Sequence, residues 1–142
     1  MAKYNIMKKE KKDATYHMQV RAELMDELYE KILQKFVVEK KYRDPDYSAK
    51  QLATDLNTNT RYISAVINLR FQQNYSNMVN EHRIREALFL LVDPRHAEKT
   101  IEQIGEMVGF SNRQSFYAAF FRFKGVTPKE YREQQIEKVQ KK

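Results

Sequence analysis

The sequence predicts an all-α protein, and two observations lead to this prediction. Only three glycines and three prolines occur in 142 residues, so long stretches contain no residue that breaks a helix. In addition, four sites combine a serine or threonine with Gln or Glu three residues later, a spacing at which each side chain can accept a hydrogen bond from the other residue's backbone N–H at a helix start. These pairs are Ser48–Gln51, Thr100–Gln103, Ser111–Gln114 and Thr127–Glu130.

Length and composition restrict the class of protein further. A chain of this length buries roughly 70% of its unfolded surface, which suffices for one domain with a core. The 26 basic and 19 acidic residues give a net charge of +7, which favours encounters with polyanions but does not by itself identify a nucleic-acid-binding protein. The absence of cysteine excludes disulfides and thiolate metal sites. Since no apolar run approaches the ~20 residues that span a bilayer, we expect a cytoplasmic protein without a membrane partner.

The N-terminal part of the chain divides into a basic arm and a long helix. Residues 1–15 are interpreted as a flexible arm, with non-specific phosphate contacts as the alternative. From about Tyr16, pairs of apolar residues recur every four residues and form one stripe, which faces the core or, alternatively, a partner protein. The helix should end before Asp44–Pro45, because a residue ahead of proline disfavours the α conformation. The stripe consists of Leu24, Met25, Leu28, Tyr29, Ile32, Leu33, Phe36 and Val37.

Two later segments have matching sequence patterns. Each predicts a short helix, a tight turn and a second, capped helix, with an offset of 52 residues up to the cap and 53 beyond it. A small residue, Ala53 or Gly105, lies where the two helices should cross closely, and the turn residue, Asn57 or Gly109, tolerates a left-handed backbone. This pattern is typical of a helix-turn-helix unit, and two copies are stronger evidence than one. The other matched positions are Leu52, Leu56, Asn59, Ile63, Val66 and Ile67 in the first copy, and Ile104, Val108, Ser111, Phe116, Ala119 and Phe120 in the second.

A central helix, starting near Ser76 and ending at Asp93–Pro94, joins the two copies. We therefore predict a seven-helix domain over residues 16–133, followed by a basic tail at 134–142. Within the domain, the first helix-turn-helix covers about 48–70, the linker helix about 76–92, the second helix-turn-helix about 100–124 and the final helix about 128–135.

Polar side chains lie off the apolar stripe on the second helix of each unit. Arg, Asn and Gln can form paired hydrogen bonds with base edges in the major groove, so these faces suit the recognition of double-stranded DNA. The alternative is that they are ordinary solvated helix faces. The off-stripe residues are Asn59, Thr60, Arg61, Ser64, Ala65 and Asn68 in the first unit, and Asn112, Arg113, Gln114, Ser115, Tyr117, Ala118 and Arg122 in the second.

Several short segments, densest around the second unit, also occur in the order that a known family shows. They are Tyr62-Ile63-Ser64, Arg83-Ile84, Ala87, Leu90-Leu91, Gly109-Phe110-Ser111, Phe116, Phe120, Arg122, Lys124, Gly125-Val126-Thr127-Pro128 and Tyr131-Arg132. Together they resemble the arabinose-regulator (AraC/XylS) type of DNA-binding domain, over about residues 22–133.

The resemblance implies a bacterial transcription regulator at the nucleoid, whose two recognition helices enter successive major grooves about 34 Å apart. One monomer would occupy one DNA site without a cofactor, and RNA polymerase or another protein could contact the helix at 20–40. Carried over residue by residue, the base-facing positions are Arg61, Ser64, Ala65, Asn68, Arg113, Gln114, Tyr117 and Ala118. Phosphate contacts are assigned to Asn59, Thr60, Asn112, Arg122, Lys124 and Lys129.

The chain departs from the family pattern at several places. Ala65 and Ala118 stand where a large polar residue is frequent; alanine can touch a thymine methyl but cannot form paired hydrogen bonds, so we expect recognition to shift to the arginines and glutamine of the same helices. Gln72 stands where the family usually has a helix-ending glycine. The ~20 residues before the resemblance are too few for a ligand-binding domain, so we expect DNA binding without an effector.

Other classes of protein fit the sequence less well. An enzyme is not expected, because the chain has no glycine-rich phosphate loop and no cysteine nucleophile. His82 is interpreted as a surface residue, with a phosphate contact as the alternative, and the row Glu98, Glu102 and Glu106 as a solvated helix side and not a metal site. The open alternatives are a partner-docking protein, a DNA-coating protein without sequence preference, and a fragment of a larger sensor-regulator, against which the start Met-Ala-Lys argues mildly.

Overall fold

The computed structural model describes residues 21–140, which form seven α-helices and no strand. This confirms the predicted all-α fold, whereas the predicted arm at 1–15 lies outside the described residues. In chain order the helices are α1 (21–33), α2 (Ala49–Asp55), α3 (Thr60–Val66), α4 (Tyr75–Val92), α5 (Ile101–Met107), α6 (Arg113–Lys124) and α7 (Pro128–Gln140). The π-helical turns Gln34–Val38 and Ile67–Phe71 extend α1 and α3, and 3-10 helices cover Lys41–Arg43 and Pro94–His96.

Two helix ends differ from the sequence prediction. The proline rule places the end of the first helix just before Asp44, whereas its helical segment ends at Val38, because Lys40 adopts a left-handed φ of 53° and turns the chain. At the other end of the chain, α7 continues to Gln140 instead of ending near residue 135. Residues 134–140, predicted as part of a tail, contain no glycine or proline and are rich in good helix formers.

Three of the four predicted helix starts have the expected cap. The hydroxyl oxygens of Ser48 and Thr127 each accept a hydrogen bond, at 3.1 Å, from the backbone N–H three residues on. Thr100 and Gln103 form the full reciprocal pair: the threonine oxygen accepts from the Gln103 N–H at 3.0 Å, and the glutamine oxygen accepts from the Thr100 N–H at 2.8 Å.

The fourth predicted cap, Ser111, is wrong. The residue that caps α6 is Asn112, whose side-chain oxygen accepts a hydrogen bond from the Ser115 N–H at 2.8 Å. Asparagine caps as effectively as serine, and the later start leaves Ser111 as the extra residue of the turn. The first unit has the same cap, since the Asn59 side-chain oxygen accepts from the Tyr62 N–H at 3.0 Å. The two asparagines are therefore equivalent, 53 residues apart.

The core consists of two clusters of buried side chains, and α4 contributes to both. The first cluster joins α1, α2 and α3 to the start of α4 and includes Leu28, Ile32, Phe36, Leu52, Ile63, Val66, Met78 and Val79. The second joins the rest of α4 to α5 and α6 and includes Ile84, Ala87, Leu91, Ile104, Val108, Phe110, Phe116 and Phe120. Each helix-turn-helix unit thus has its own cluster, and one continuous helix supports them both.

The apolar stripe of α1 faces the first cluster. Leu28, Ile32 and Phe36 are buried at four-residue spacing, which confirms the core-facing interpretation. Val37, the last predicted member of the stripe, is exposed because it lies in the π-helical turn, whose wider repeat rotates it away from the core. Leu24, at the other end of the stripe, is 39% exposed, so a contact between this helix and a partner protein stays a prediction.

Arg83 of α4 connects the two halves of the fold. Its Nε donates to the carbonyl oxygen of Tyr42 at 2.7 Å, and its Nη2 donates to that of Asp44 at 3.1 Å, both in the connection between α1 and α2. The same guanidinium carbon lies 5.5 Å from the centre of the Phe110 ring, in the turn of the second unit. One partly buried side chain thus holds the connection between α1 and α2 close to the turn of the second unit.

Arg132 of α7 has a comparable role at the other end of α4. Its guanidinium donates to the carbonyl oxygens of Leu91 at 3.0 Å, His96 at 3.0 Å and Lys99 at 2.8 Å, all in or beside the connection between α4 and α5. Arg83 and Arg132 both belong to the segments that carry the family resemblance, and the structure gives each a backbone-binding role.

Candidate nucleic-acid interface

The turn of the first unit, between α2 and α3, relies on a left-handed asparagine. Asn57 has a φ of 54°, a conformation that asparagine tolerates better than most residues other than glycine. Ala53, the predicted small residue at the helix crossing, is buried. The predicted helix-turn-helix geometry is therefore present, and it presents α3 as the second, recognition helix.

The turn of the second unit, between α5 and α6, is more tightly packed. Gly109 has a φ of 113°, and a Cβ atom placed on it would lie only 2.2 Å from the carbonyl oxygen of Tyr42. At the helix crossing, a Cβ on Gly105 would lie 2.6 Å from a ring carbon of Phe116. Neighbouring atoms approach the backbone so closely at both positions that only glycine fits there, in agreement with the sequence pattern. These two contacts determine how α6 packs on α5.

The residues assigned to the recognition face of α3 differ in exposure and in backbone conformation. Arg61 and Ser64 are exposed, and Ala65 is half-buried. Arg61 and Ala65 line a shallow groove against Leu24 and Met25 of α1, and this proximity of α1 partly covers the alanine. Asn68 is exposed but lies in the π-helical turn after α3, so regular helical spacing does not define its direction.

The recognition face of α6 is regular, and one of its arginines is already held in place. Gln114 and Ala118 are exposed, and Tyr117 is half-buried. The guanidinium carbon of Arg113 lies 4.9 Å from the centre of the Tyr117 ring, and its Nε lies 3.5 Å from a carboxylate oxygen of Glu102 on α5. Arg113 therefore has a stacking contact and a weak ion pair. Glu102 and Glu106 are exposed on α5, as predicted, whereas Glu98 lies in the turn before that helix.

Counting from the two capping asparagines pairs the recognition residues one by one. Arg61 of α3 corresponds to Gln114 of α6, whereas Arg113 corresponds to Thr60 at the first helical position. The two arginines therefore occupy different positions on their helices. With Ser111 taken as the cap, Arg61 and Arg113 had appeared equivalent, because each lies two residues after its cap.

One residue of the recognition face was missed. By the same count Asn68 corresponds to Phe121, whose side chain is 59% exposed. Asn68 and Phe121 are 53 residues apart, so the sequence offset already pairs them. Phe121 was nevertheless missed, because the base-facing residues were selected for polar side chains.

The residues assigned to phosphates are all exposed, although several have protein partners. The side-chain oxygens of Asn59 and Asn112 cap their helices, which leaves the amide N–H groups to reach a phosphate. Arg122 donates to the side-chain oxygen of Asn77, at the start of α4, at 3.0 Å. The Lys124 ammonium lies 5.7 Å from the Tyr131 ring centre. Thr60 and Lys129 are exposed in the first turns of α3 and α7.

His82 is half-buried and packs against two rings of the first core cluster. Its ring stacks between Phe36, at a centroid distance of 5.5 Å, and Tyr42, at 5.7 Å. Burial lowers the pKa of His82 below its usual value, which favours the neutral ring. His82 is therefore a half-buried packing residue and not a free surface side chain, whereas a phosphate contact through it stays an untested alternative.

Two features are absent from the part of the chain that the structure describes. Between residues 21 and 140, no three His, Asp or Glu side chains are grouped so that they could bind a metal ion. Within that range, no helix combines the length and the apolar character needed to cross a lipid bilayer.

Comparison with known proteins agrees with this geometry. A family model described as a helix-turn-helix domain matches residues 52–134, more than half of the chain. The chain therefore belongs to this helix-turn-helix family, which is of the AraC type. The family and the fold are those of DNA-binding transcription regulators. A comparison with curated protein sequences gave no match.

Solved structures show the same fold. The C-terminal domain of AraT, a response regulator from Geobacillus stearothermophilus, matches with a TM-score of 0.64 and 24% identity, over 78% of this chain and 84% of that chain. The C-terminal domain of the two-component response regulator yesN from Fusobacterium nucleatum matches with a TM-score of 0.62 and 26% identity, over 72% and 96%. An AraC-type DNA-binding domain-containing transcriptional regulator from Chromobacterium violaceum matches with a TM-score of 0.55 and 26% identity, over 61% and 75%.

Proposed function

We propose that one molecule of this protein binds one double-stranded DNA site, with α3 and α6 in successive major grooves. The observation that supports this most directly is the repeated unit: each recognition helix begins at an asparagine cap after a left-handed turn, and the two caps are 53 residues apart. The 18 residues of α4 rise about 27 Å, which is comparable to one DNA turn of about 34 Å. A regulator of this kind acts at the nucleoid, in the cytoplasm.

Base contacts are assigned to the exposed faces of the two recognition helices. On α3, Arg61 suits guanine and Asn68 suits adenine, because their side chains can form paired hydrogen bonds with those bases. On α6, Gln114 suits adenine, and Arg113, whose guanidinium lies over the Tyr117 ring, suits guanine. The neighbouring positions Ser64, Ala65, Tyr117 and Ala118 complete the two faces.

Phosphate contacts are assigned to side chains near helix ends. Arg122 and Lys124 lie in the last turn of α6, and Lys129 lies in the first turn of α7. Asn59, Thr60 and Asn112 lie at the starts of the recognition helices. Such contacts position a protein on DNA without selecting a sequence.

Selection of binding sites from a random DNA pool tests the proposal as a whole. A regulator should prefer its selected site over unrelated DNA by about a thousandfold or more, whereas a DNA-coating protein should show little preference. Sedimentation of the purified protein with the selected site should give one chain per site of about two DNA turns, without an added small molecule. Two chains on a non-palindromic site of that length, or binding that appears only with a metabolite, would contradict the proposed mode.

A second experiment separates base recognition from phosphate contact. Replacing Arg61 or Arg113 with alanine should weaken binding to the selected site by about 1–3 kcal/mol and relax the preference at one or two base pairs. Replacing Lys124 with alanine should instead weaken binding to all sequences and reduce the slope of log affinity against log salt by about one. The assignment fails if Arg113→Ala weakens specific and non-specific binding equally, or if Lys124→Ala changes the sequence preference.

A further inference from the structure

Phe121 is the most exposed aromatic residue of α6, in which Phe123 is 37% exposed and Tyr117 is half-buried. Its side chain is 59% exposed, whereas Phe116 and Phe120 of the same helix are 1% and 0% exposed. Among the described residues, those two rings pack on other aromatic rings, and Phe121 takes part in no such pair. Phe121 is therefore not a member of the core, and its exposed position calls for a different explanation.

The position of Phe121 on α6 continues the recognition face. Because α6 is a regular α-helix over its whole length, Gln114, Tyr117, Ala118 and Phe121 follow the spacing that places residues on one side. From Gln114 to Phe121 this side extends about 10 Å, close to three base-pair steps of about 3.4 Å. The residue that corresponds to Phe121 in the first unit is Asn68, which is exposed in the π-helical turn after α3.

The charges around this face favour DNA as its partner. Over its length α6 carries Arg113, Arg122 and Lys124 and no acidic residue. An apolar strip that is flanked by basic side chains and adjoins Gln114 fits a major groove, where the thymine methyl is the apolar group on the base edges. The first unit has Ala65 and Asn68 at the corresponding positions, so it combines one apolar with one hydrogen-bonding residue.

We propose that Ala118 and Phe121 form an apolar strip that contacts thymine methyl groups, so that the two half-sites are recognised by different chemistry. This inference rests on the proposed function. The α6 half-site is selected by packing against methyl groups together with Gln114, whereas the α3 half-site is selected by the hydrogen bonds of Arg61 and Asn68. The preferred DNA site is accordingly asymmetric, with one or two obligatory thymines in the half-site bound by α6.

Replacement of single thymines by deoxyuridine tests this directly, because it removes only the 5-methyl group. With the selected site, deoxyuridine at one or two positions of the α6 half-site should weaken binding of the unchanged protein about threefold to tenfold. The variant Phe121→Ala should bind the thymine site with a similar loss and show little further loss with deoxyuridine. Phe121→Leu keeps an apolar side chain and should retain part of the methyl dependence. Asn68→Ala is the matched control, and it should leave the response to deoxyuridine in the α6 half-site unchanged.

The outcomes separate this inference from the proposed function. If the unchanged protein binds selected and unrelated DNA equally, the proposed function is wrong and the inference fails with it. If the selected site is preferred but no deoxyuridine weakens binding, or if Phe121→Ala responds to deoxyuridine as the unchanged protein does, only the inference is wrong. Normal DNA binding by Phe121→Ala would also contradict it, and would assign the exposed ring to a protein partner. Unchanged helical circular dichroism of the variants excludes loss of folding as the cause.

Discussion

The two helix-turn-helix units share one backbone plan, but their turns differ in how closely other segments pack against them. In the first unit the turn residue Asn57 carries a side chain that is exposed, with a φ of 54°. In the second unit the corresponding Gly109 is buried against the carbonyl of Tyr42 and the guanidinium of Arg83, both from outside the unit. The second turn is thus packed against the connection between α1 and α2 and against α4, whereas the side chain at the first turn is exposed. Repeats that are alike in sequence pattern can therefore differ in their tolerance of change.

Alanine at the two turn positions should give the largest difference between the units. Gly109→Ala forces a Cβ into the backbone of Tyr42 at a φ of 113°, so we expect a loss of about 3–5 kcal/mol in the free energy of unfolding. Asn57→Ala keeps the available space and adds left-handed backbone strain, so about 1 kcal/mol should be lost. Urea unfolding followed by circular dichroism measures both. Equal losses would show that backbone conformation alone, and not packing of Gly109 against Tyr42 and Arg83, determines the cost.

This contrast also shows what the sequence could predict. The sequence correctly predicted three local features: the residue types at the two turns, the helix periodicity and three of the caps. The contact of Gly109 with Tyr42 joins residues that are far apart in the chain, so no local pattern contains it. The Ser111 cap was wrong because Ser111 and Asn112 are both good caps, and only packing of α6 selects between them.

Recognition residues were harder to predict than the fold, for two physical reasons. The π-helical turn after α3 changes the direction of Asn68, and a regular helical repeat does not reveal such a turn. In α6 the recognition face includes the apolar Phe121, which side-chain polarity does not mark. The base and phosphate assignments therefore stay predictions, to be tested by the binding experiments above.

Acid should destabilise the protein through His82, which among the described residues is the histidine stacked on rings of the first core cluster. Burial lowers the pKa of His82, so below about pH 6.5 the unfolded chain binds this proton more strongly than the folded chain. The free energy of unfolding should therefore fall between pH 7.5 and 5.5. The pKa of Glu86 is also lowered, because hydrogen bonding and attraction from Arg43 outweigh the opposing effect of burial, but this carboxyl costs stability only below about pH 4.5.

The variant His82→Phe provides the control for the acid experiment. It keeps a ring between Phe36 and Tyr42 but cannot be protonated, so the loss of stability between pH 7.5 and 5.5 should become smaller than in the unchanged protein. Thermal unfolding monitored at several pH values measures the difference. An identical pH dependence in both proteins would assign the effect to other groups and contradict the role of the stacked histidine.

The smallest expected effect concerns the residues that end the two recognition helices. Gln72 and Gly125 correspond at the 53-residue offset, and both adopt a left-handed backbone, with φ values of 57° and 73°. A left-handed residue with a side chain is strained by about 1–2 kcal/mol, whereas glycine is not, although glycine loses more entropy on folding. Gln72→Gly should therefore raise the free energy of unfolding by about 0.5–1 kcal/mol. The reverse change, Gly125→Gln, should lower it by a similar amount, because a Cβ there would meet no atom within 4 Å and only backbone strain is added. Urea unfolding of the two variants measures both signs. A loss of stability in Gln72→Gly would show that the glutamine side chain makes a stabilising contact that outweighs its strain.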